Sequence, residues 1–354
     1  MNNLIMPMAG RSARFNLDRP KWMLTHPLSG TYMALASLTG LNLQRYQKLY
    51  FVFLKKHQDE FDFESGFVKQ LSRIGLLEKS RLIFLTKETD SPAQTVYEAI
   101  KKESIRGSIL VKDSDSYFEA DFEDGGNYVA FESLENVGLV EAKSKSYLQI
   151  DKFGTISNIV EKKVISSEFS VGGYGFENAE QFSEFFIAFE RKTREIYLSD
   201  IIFQMILDGV KFKGIATQKF EDWGTLESWS SYCNNFNTIF LDIDGVLVEN
   251  SSLLFRPYVG DAKPIQENID VINSHFTSGK SQIILTTSRP EFTRNETELE
   301  MKRLGVSYHQ LIMGLQHSKR ILVNDFSATN DYPTSISINI PRNSAQLSKY
   351  LGQF

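Results

Sequence analysis

Residues 4–15 read Leu4-Ile5-Met6-Pro7-Met8-Ala9-Gly10-Arg11-Ser12-Ala13-Arg14-Phe15, and Pro20-Lys21 follows soon after. The apolar run predicts a buried strand from Leu4 to Ala9. Small residues after it let backbone N–H groups of Met8, Ala9, Gly10, Arg11 and Ser12 face an anion, and a following helix N-terminus adds to the attraction. Arg14 and Lys21 bring cations that can neutralise a polyphosphate. Neither the dinucleotide fingerprint G-x-G-x-x-G nor the loop G-x-x-x-x-G-K-[ST] is present.

Outward from this stretch, short apolar runs recur with helical patterns between them. Strands are expected at Leu49–Leu54, Leu82–Leu85, Ser108–Lys112, Tyr128–Phe131, Ile156–Val160 and Phe212–Ala216, and helices at Ala179–Glu190 and Ser199–Asp208. Such alternation predicts α/β sheets with mostly parallel strands. A second series contains Ile239–Ile243, Gln282–Thr286, His309–Met313, Arg320–Val323 and Ile336–Ile340. The polar stretch Ser230–Asn237 divides the two series, so the boundary is expected near Asn235, giving domains over 1–235 and 236–354.

Length agrees with two domains: 354 residues at about 150 per domain. Hydrophobic residues make up 42% and charged residues 23%, enough to bury sizeable cores. A formal net charge of −5 without a basic block argues against a nucleic-acid partner. The lone cysteine, Cys233, cannot form an internal disulfide. The opening residues lack a signal-peptide pattern, and no apolar run is long enough to span a membrane. A cytoplasmic protein with no membrane partner is expected; the sequence leaves the oligomeric state open.

The opening stretch resembles the signature of the sugar nucleotidyltransferase family, a strand followed by A-G-x-G-[ST]-R-[LF] and P-K. Ser12 and Ala13 are departures from it. Further segments resemble the family in its own order. Leu110-Val111-Lys112-Asp113-Ser114-Asp115 resembles the strand-end aspartate that holds magnesium, with Asp115 the better match and Asp113 a possible assistant. Ser91-Pro92-Ala93-Gln94 lies where the family reads the base, which would make Gln94 a nucleotide contact. Ile159-Val160-Glu161-Lys162 resembles the segment contacting the sugar phosphate, and Val171-Gly172-Gly173-Tyr174-Gly175-Phe176 its sugar-side strand. Glu221-Asp222-Trp223-Gly224-Thr225 resembles the segment with the second metal ligand, Asp222. The resemblance implies transfer of a nucleotidyl group from a nucleoside triphosphate to a phosphorylated sugar or polyol, with release of pyrophosphate. In that chemistry Asp115 and Asp222 hold Mg²⁺, Arg14 and Lys21 stabilise the triphosphate, and Glu161, Lys162 and Gly173 meet the sugar phosphate. The Met-Pro-Met-Ala-Gly opening is similar to cytidylyltransferase-like members, which favours CTP.

The second series opens with Ile239-Phe240-Leu241-Asp242-Ile243-Asp244-Gly245-Val246. It resembles the first motif of the haloacid dehalogenase-like phosphatases. Asp242 would be the nucleophile that forms an aspartyl phosphate, and Asp244 the acid and base. Thr286-Thr287-Ser288-Arg289-Pro290 resembles the second motif, with Thr287 the phosphoryl-binding hydroxyl and Thr286 the alternative. Lys319 fits the third motif's cation. Asn324-Asp325 fits the fourth, with Asp242 and Asp325 holding a second Mg²⁺. Short intervals between these motifs leave no room for a large cap.

The five histidines are assigned no ligand or catalytic role, and Cys233 is expected to be inert. The expected fold class is α/β: two Rossmann-like three-layer domains, a glycosyltransferase-A-like nucleotidyltransferase sheet and a capless haloacid dehalogenase-like domain. The expected protein is a bifunctional nucleotidyltransferase and Mg²⁺-dependent phosphatase making precursors of a bacterial capsular or surface polysaccharide. Two alternatives stand beside it: an active transferase with a degenerate docking phosphatase domain, and a non-enzymatic nucleotide-binding scaffold.

Overall fold

The first strand, β1 (Asn2–Met8), is buried on both faces. Leu4, Met6 and Met8 point into one core and Ile5 into another, as expected for a strand in the middle of a sheet covered on both sides. The computed structural model describes residues 2–10, 19–122, 125–137, 142–190, 196–250, 262–324 and 335–352. The chain divides into two compact units, Met1–Cys233 and Asn234–Phe354.

In the first unit, β1 is followed by β2 (Lys48–Leu54), β3 (Ser80–Leu85), β4 (Ser108–Lys112), β5 (Ser116–Glu119) and β6 (Tyr128–Ser133). Then come β7 (Ser146–Ile150), β8 (Thr155–Glu161), β9 (Glu168–Phe176), β10 (Phe212–Ala216) and β11 (Lys219–Asp222). Nine strands form one sheet in the order β3-β2-β1-β4-β9-β6-β10-β8-β7, and β5 pairs with β11 in a separate ribbon. The half from β3 to β4 is parallel. Beyond it the sheet is mixed, because β9 runs antiparallel to both β4 and β6. The expectation of mostly parallel strands is thereby corrected. Strand periodicity carries no information on direction, and the hairpin β7–β8 needs no crossover helix.

Helices cover both faces. Pro92–Glu103 shows why the local sequence folds as it does: Ser91 caps its N-terminus through a bond from Gln94 N–H (3.2 Å), and Pro92 occupies its first turn. Lys101 and Lys102 sit in its last turn, and Val96, Ala99 and Ile100 form its buried stripe. This helix, Ala179–Glu190 and Leu198–Leu207 pack on one face of the sheet, and Glu64–Arg73 on the other.

The order β3-β2-β1-β4 contains a reversal: the chain steps outward from β1 to β3, then returns to the other side of β1 as β4. Such a switch opens a crevice beyond the carboxyl ends of the two strands, here at Ala9–Gly10 and at Asp113.

In the second unit, β12 (Asn237–Asp242), β13 (Ser281–Thr286) and β14 (Gln310–Ile312) form a parallel sheet in that order. Its core is built on Leu241, Ile243, Ile269, Ile272, Ile283 and Leu285. The strands expected at Arg320–Val323 and Ile336–Ile340 do not form. Ile321 and Val323 are 77% and 87% exposed, so that apolar run finds neither a ladder partner nor a core among the described residues.

Candidate functional site

The first candidate site lies beyond β1 and β4. Ala9 is fully buried at the end of β1, and its carbonyl accepts from the Thr89 hydroxyl at 3.4 Å. Thr89 is bonded in turn to Thr95 (2.6 Å), which ties the start of the anion-facing loop to the first turns of helix Pro92–Glu103. Arg11, Ser12, Ala13 and Arg14 lie outside the described residues. Gln94 is part of the same turn: its side-chain oxygen accepts from Asp90 N–H at 2.7 Å.

Two carboxylates meet here because β5 and β11 pair with Asp222 opposite Ser116. Trp223 N–H extends that ladder onto the Asp115 carbonyl (3.0 Å). Gly224 follows, its N–H bonded to Asp222 Oδ1 (2.9 Å). A Cβ on Gly224 would lie 3.0 Å from Asp222 Oδ1 and 3.6 Å from Asp115 Oδ2, so both carboxylates converge on this glycine. Each is ion-paired with a lysine: Asp115 with Lys21, and Asp222 with Lys145 at 2.8 Å. Burial opposes the charge on Asp115, but the Lys21 ammonium bonded to it, with Lys145 and Lys112, holds its carboxyl at about 2. Asp113 goes the other way. Burial, reinforced by Asp115, lifts it to about 6. Its carboxylate packs against Gly172, where a Cβ would come within 2.7 Å of its Oδ2.

Beneath this pair, Lys112 is fully buried. Its ammonium donates to the carbonyls of Asp113 and Ser116, 2.7 Å each, and to Ser116 Oγ at 3.2 Å. It also lies 4.6 Å from the centroid of the Phe118 ring.

The other assigned residues are placed as follows. Glu161 accepts from the hydroxyls of Ser146 and Ser199, the latter at 2.8 Å. Lys162 has a left-handed φ of 57°, and its ammonium bonds the Tyr197 hydroxyl. Gly173 has a packing reason to be glycine: a Cβ there would come within 2.6 Å of the Phe118 ring. Lys145 and Lys112 escaped sequence reading. The turn before β8 locates the hairpin but not Lys145. Asp151 makes a turn, accepting from Phe153 and Thr155 N–H at 2.8 and 2.9 Å. A register shift between Gln149 and Ile150 then sets Ser146 opposite Glu161 and Lys145 beside Lys162, a step that counting from the turn does not supply.

Asp115 and Asp222 fit a magnesium ion by chemistry, since Mg²⁺ takes hard oxygen ligands, needs only one or two carboxylates and completes its shell with water and phosphate. Among the described residues, no group of three or more His, Cys, Asp or Glu could hold a metal ion.

The second candidate site lies at the carboxyl ends of β12 and β13, where the register sets Asp242 beside Thr286. Thr286 Oγ1 is spent on the Leu241 carbonyl (3.2 Å). Thr287, fully buried, donates instead to Asp244 Oδ2 at 3.1 Å. Gly245, at φ 94°, makes the turn that follows Asp244, a conformation glycine adopts without strain. Arg289 holds Asp244 with Nε (3.1 Å to each oxygen) and Nη2 (2.8 Å), while its Nη1 donates to buried Glu300 at 2.6 Å. Burial raises Asp242, against the opposing pull of Arg320.

Lys319, assigned as the third motif's cation, has Arg320 as its neighbour. Among the described residues the cation on Asp242 is Arg320, with Nη2 3.1 Å from Oδ1, while Lys319 is exposed in a segment that is not a strand. Asp325 lies outside the described residues. Asp242 alone among the described residues does not make a magnesium site.

No protein-family model matches the chain, and a search of curated proteins finds no match. Solved structures do match. A nucleoside-diphosphate-sugar pyrophosphorylase from Vibrio cholerae RC9 is 21% identical, covering 65% of this chain and 99% of its own, with a TM-score of 0.54. The inositol-1-phosphate CTP transferase from T. maritima is 11% identical over 66% of this chain and 93% of its own, with a TM-score of 0.51. A UDP-glucose pyrophosphorylase complexed with UDP-glucose is 15% identical over 66% and 97%, with a TM-score of 0.51. These likenesses lie in the N-terminal part and show that it shares their fold. Among the described residues, no helix is long and apolar enough to cross a membrane.

Proposed function

We propose that the first unit transfers a nucleotidyl group from a nucleoside triphosphate, CTP in preference, to a phosphorylated sugar or polyol, and that the second hydrolyses a phosphate monoester. The observation that carries this reading is the convergence of Asp115 and Asp222 on Gly224 beside the β1–β4 crevice. The fold likeness to nucleotide–sugar enzymes supports it, and the name of the inositol-1-phosphate CTP transferase supports CTP.

Transfer joins two anions. An acceptor phosphate oxygen attacks the α-phosphorus in line, a P–O bond forms, and the bond to the bridging oxygen breaks with its electron pair on pyrophosphate. The chain's task is to hold the anions together and offset their repulsion. Lys21 faces the triphosphate, and the family resemblance gives Arg14 the same role. Asp115 and Asp222 are the residues that would hold Mg²⁺, which supplies charge neutralisation at the phosphates.

In the second unit, the Asp242 carboxylate attacks the phosphorus of a monoester and the leaving oxygen takes a proton from Asp244. Water then attacks the aspartyl phosphate, Asp244 takes its proton, and orthophosphate leaves. Thr287 and Arg289 keep Asp244 in place. A phosphatase that consumed the transferase's own acceptor would be futile, so its substrate is an intermediate carrying a second phosphate. Bacterial capsular or surface polysaccharide precursors suit such a pairing.

Phosphorus NMR of the full chain with Mg²⁺, each common nucleoside triphosphate and a panel of sugar and polyol phosphates tests both halves. The parent is expected to form a diphosphate diester and pyrophosphate. Asp222→Asn should slow that step about a hundredfold or more. Asp242→Asn should keep it and lose orthophosphate release. No diester with any pair overturns the first half; undiminished orthophosphate from Asp242→Asn overturns the second.

A further inference from the structure

The two lysines on the carboxylate pair come from different parts of the chain. Lys21 follows the loop after β1, the side on which the triphosphate is placed above. Lys145 immediately precedes β7, and its side chain and that of Asp222 are only 14% and 10% exposed. Lys162, which the family resemblance assigns to the acceptor phosphate, is its neighbour in the β7–β8 ladder, donating its N–H to the Lys145 carbonyl at 2.9 Å. The two ammonium groups have different surroundings. That of Lys162 is bonded to the Tyr197 hydroxyl and lies 4.3 Å from the centroid of the same ring. That of Lys145 lies 5.5 Å from the centroid of the Phe220 ring and is bonded to the carboxylate where the reaction is placed.

We infer that Lys145, rather than Lys162, binds the phosphate of the acceptor. The inference rests on the nucleotidyl-transfer reading above. Two anions must meet beside Asp115 and Asp222, and a carboxylate pair alone repels both. Lys21 answers for one anion. Lys145 is the cation on the other carboxylate, its ammonium 2.8 Å from Asp222 Oδ2. When a divalent cation takes Asp222, the Lys145 ammonium needs another acceptor, and a phosphate oxygen is a strong one.

The test compares full-length parent, Lys145→Met, Lys145→Arg and Lys162→Met in two ways. The first probe is inorganic phosphate added to Mn²⁺-loaded protein, read as paramagnetic broadening of its phosphorus signal. Parent, Lys145→Arg and Lys162→Met should broaden it, and Lys145→Met should need about tenfold more phosphate for the same effect. The second is transfer kinetics with CTP and the phosphate panel. Lys145→Met should raise the acceptor KM about tenfold or more while the CTP KM stays within about twofold, and Lys145→Arg should restore part of the loss. Broadening by Lys145→Met equal to the parent's, a parent that leaves phosphate unbroadened, or an acceptor KM that moves with Lys162→Met and not Lys145→Met would each overturn it. Absence of pyrophosphate from the parent with every pair defeats the transfer reading alone, and the broadening experiment still judges Lys145.

Discussion

Lys112 is a cation with no solvent contact, set under the turn that carries Asp113 and Asp115. Burial lowers its ammonium to about 8, although both aspartates pull the other way. Three oxygen acceptors and the Phe118 ring surround it, which is how a buried charge becomes tolerable. The sign of its pH effect follows. Between about 8 and the ordinary 10.5, the unfolded chain carries a proton at this position that the folded chain has released, so stability contributed here rises with pH. Groups common to parent and variant cancel in a comparison with Lys112→Met. The parent is therefore expected to gain in urea midpoint over Lys112→Met between pH 7.5 and pH 10. An equal gap at both values would refute the assignment. Arg289 solves a similar problem differently: its buried guanidinium is shared between Asp244 and Glu300, so removing any one of the three strands a charge.

At the scale of elements, the ribbon β5–β11 makes the first site. Its register sets Asp222 opposite Ser116, next to Asp115, and a slip of one residue would turn Asp222 to the opposite face. A proline at Glu221, opposite Tyr117, cannot donate to the ladder. Glu221→Pro is expected to weaken Mn²⁺ binding, followed by electron paramagnetic resonance, by about tenfold to a hundredfold. Binding equal to the parent's would mean that the ribbon does not set the carboxylates. Elements also show what was legible in the sequence. Apolar runs located β1, β2, β4 and β10 within a residue or two, because buried strands and their polar borders are local signals. The motifs singled out Asp115 and Asp222, but not the pairing of β5 with β11 that brings them together. Strand direction was not legible, nor were the short strands β5, β7 and β11, whose alternation spans only four or five residues. The Arg320–Val323 run misled for a related reason: apolar composition does not supply a neighbour to pair with. Lys145 acts through Asp222 and Arg289 through Asp244, partners far away in sequence, and no spacing rule reaches that far.

For the whole molecule, the division into Met1–Cys233 and Asn234–Phe354 gives each proposed chemistry its own core. The first unit carries one cluster on each face of its nine-stranded sheet, and the second builds a smaller cluster around three parallel strands. Ile283 is fully buried in that smaller core, on the central strand β13 that ends at Thr286. Truncating it to alanine removes buried methyl groups and leaves a cavity, a change that costs about 2–5 kcal/mol. The cost falls on the residues that share the cavity, Leu241 and Leu285 among them. These neighbours lie on the strands whose ends carry Asp242 and Thr286. Hence Ile283→Ala should lose orthophosphate release at a lower temperature than the parent, while pyrophosphate release by the same molecules keeps its parental temperature profile. Both products are read from one phosphorus spectrum at each temperature, so protein concentration cancels. If the two activities fell together on heating, the two cores would form one cooperative unit, and the assignment of one chemistry to each would lose its structural basis.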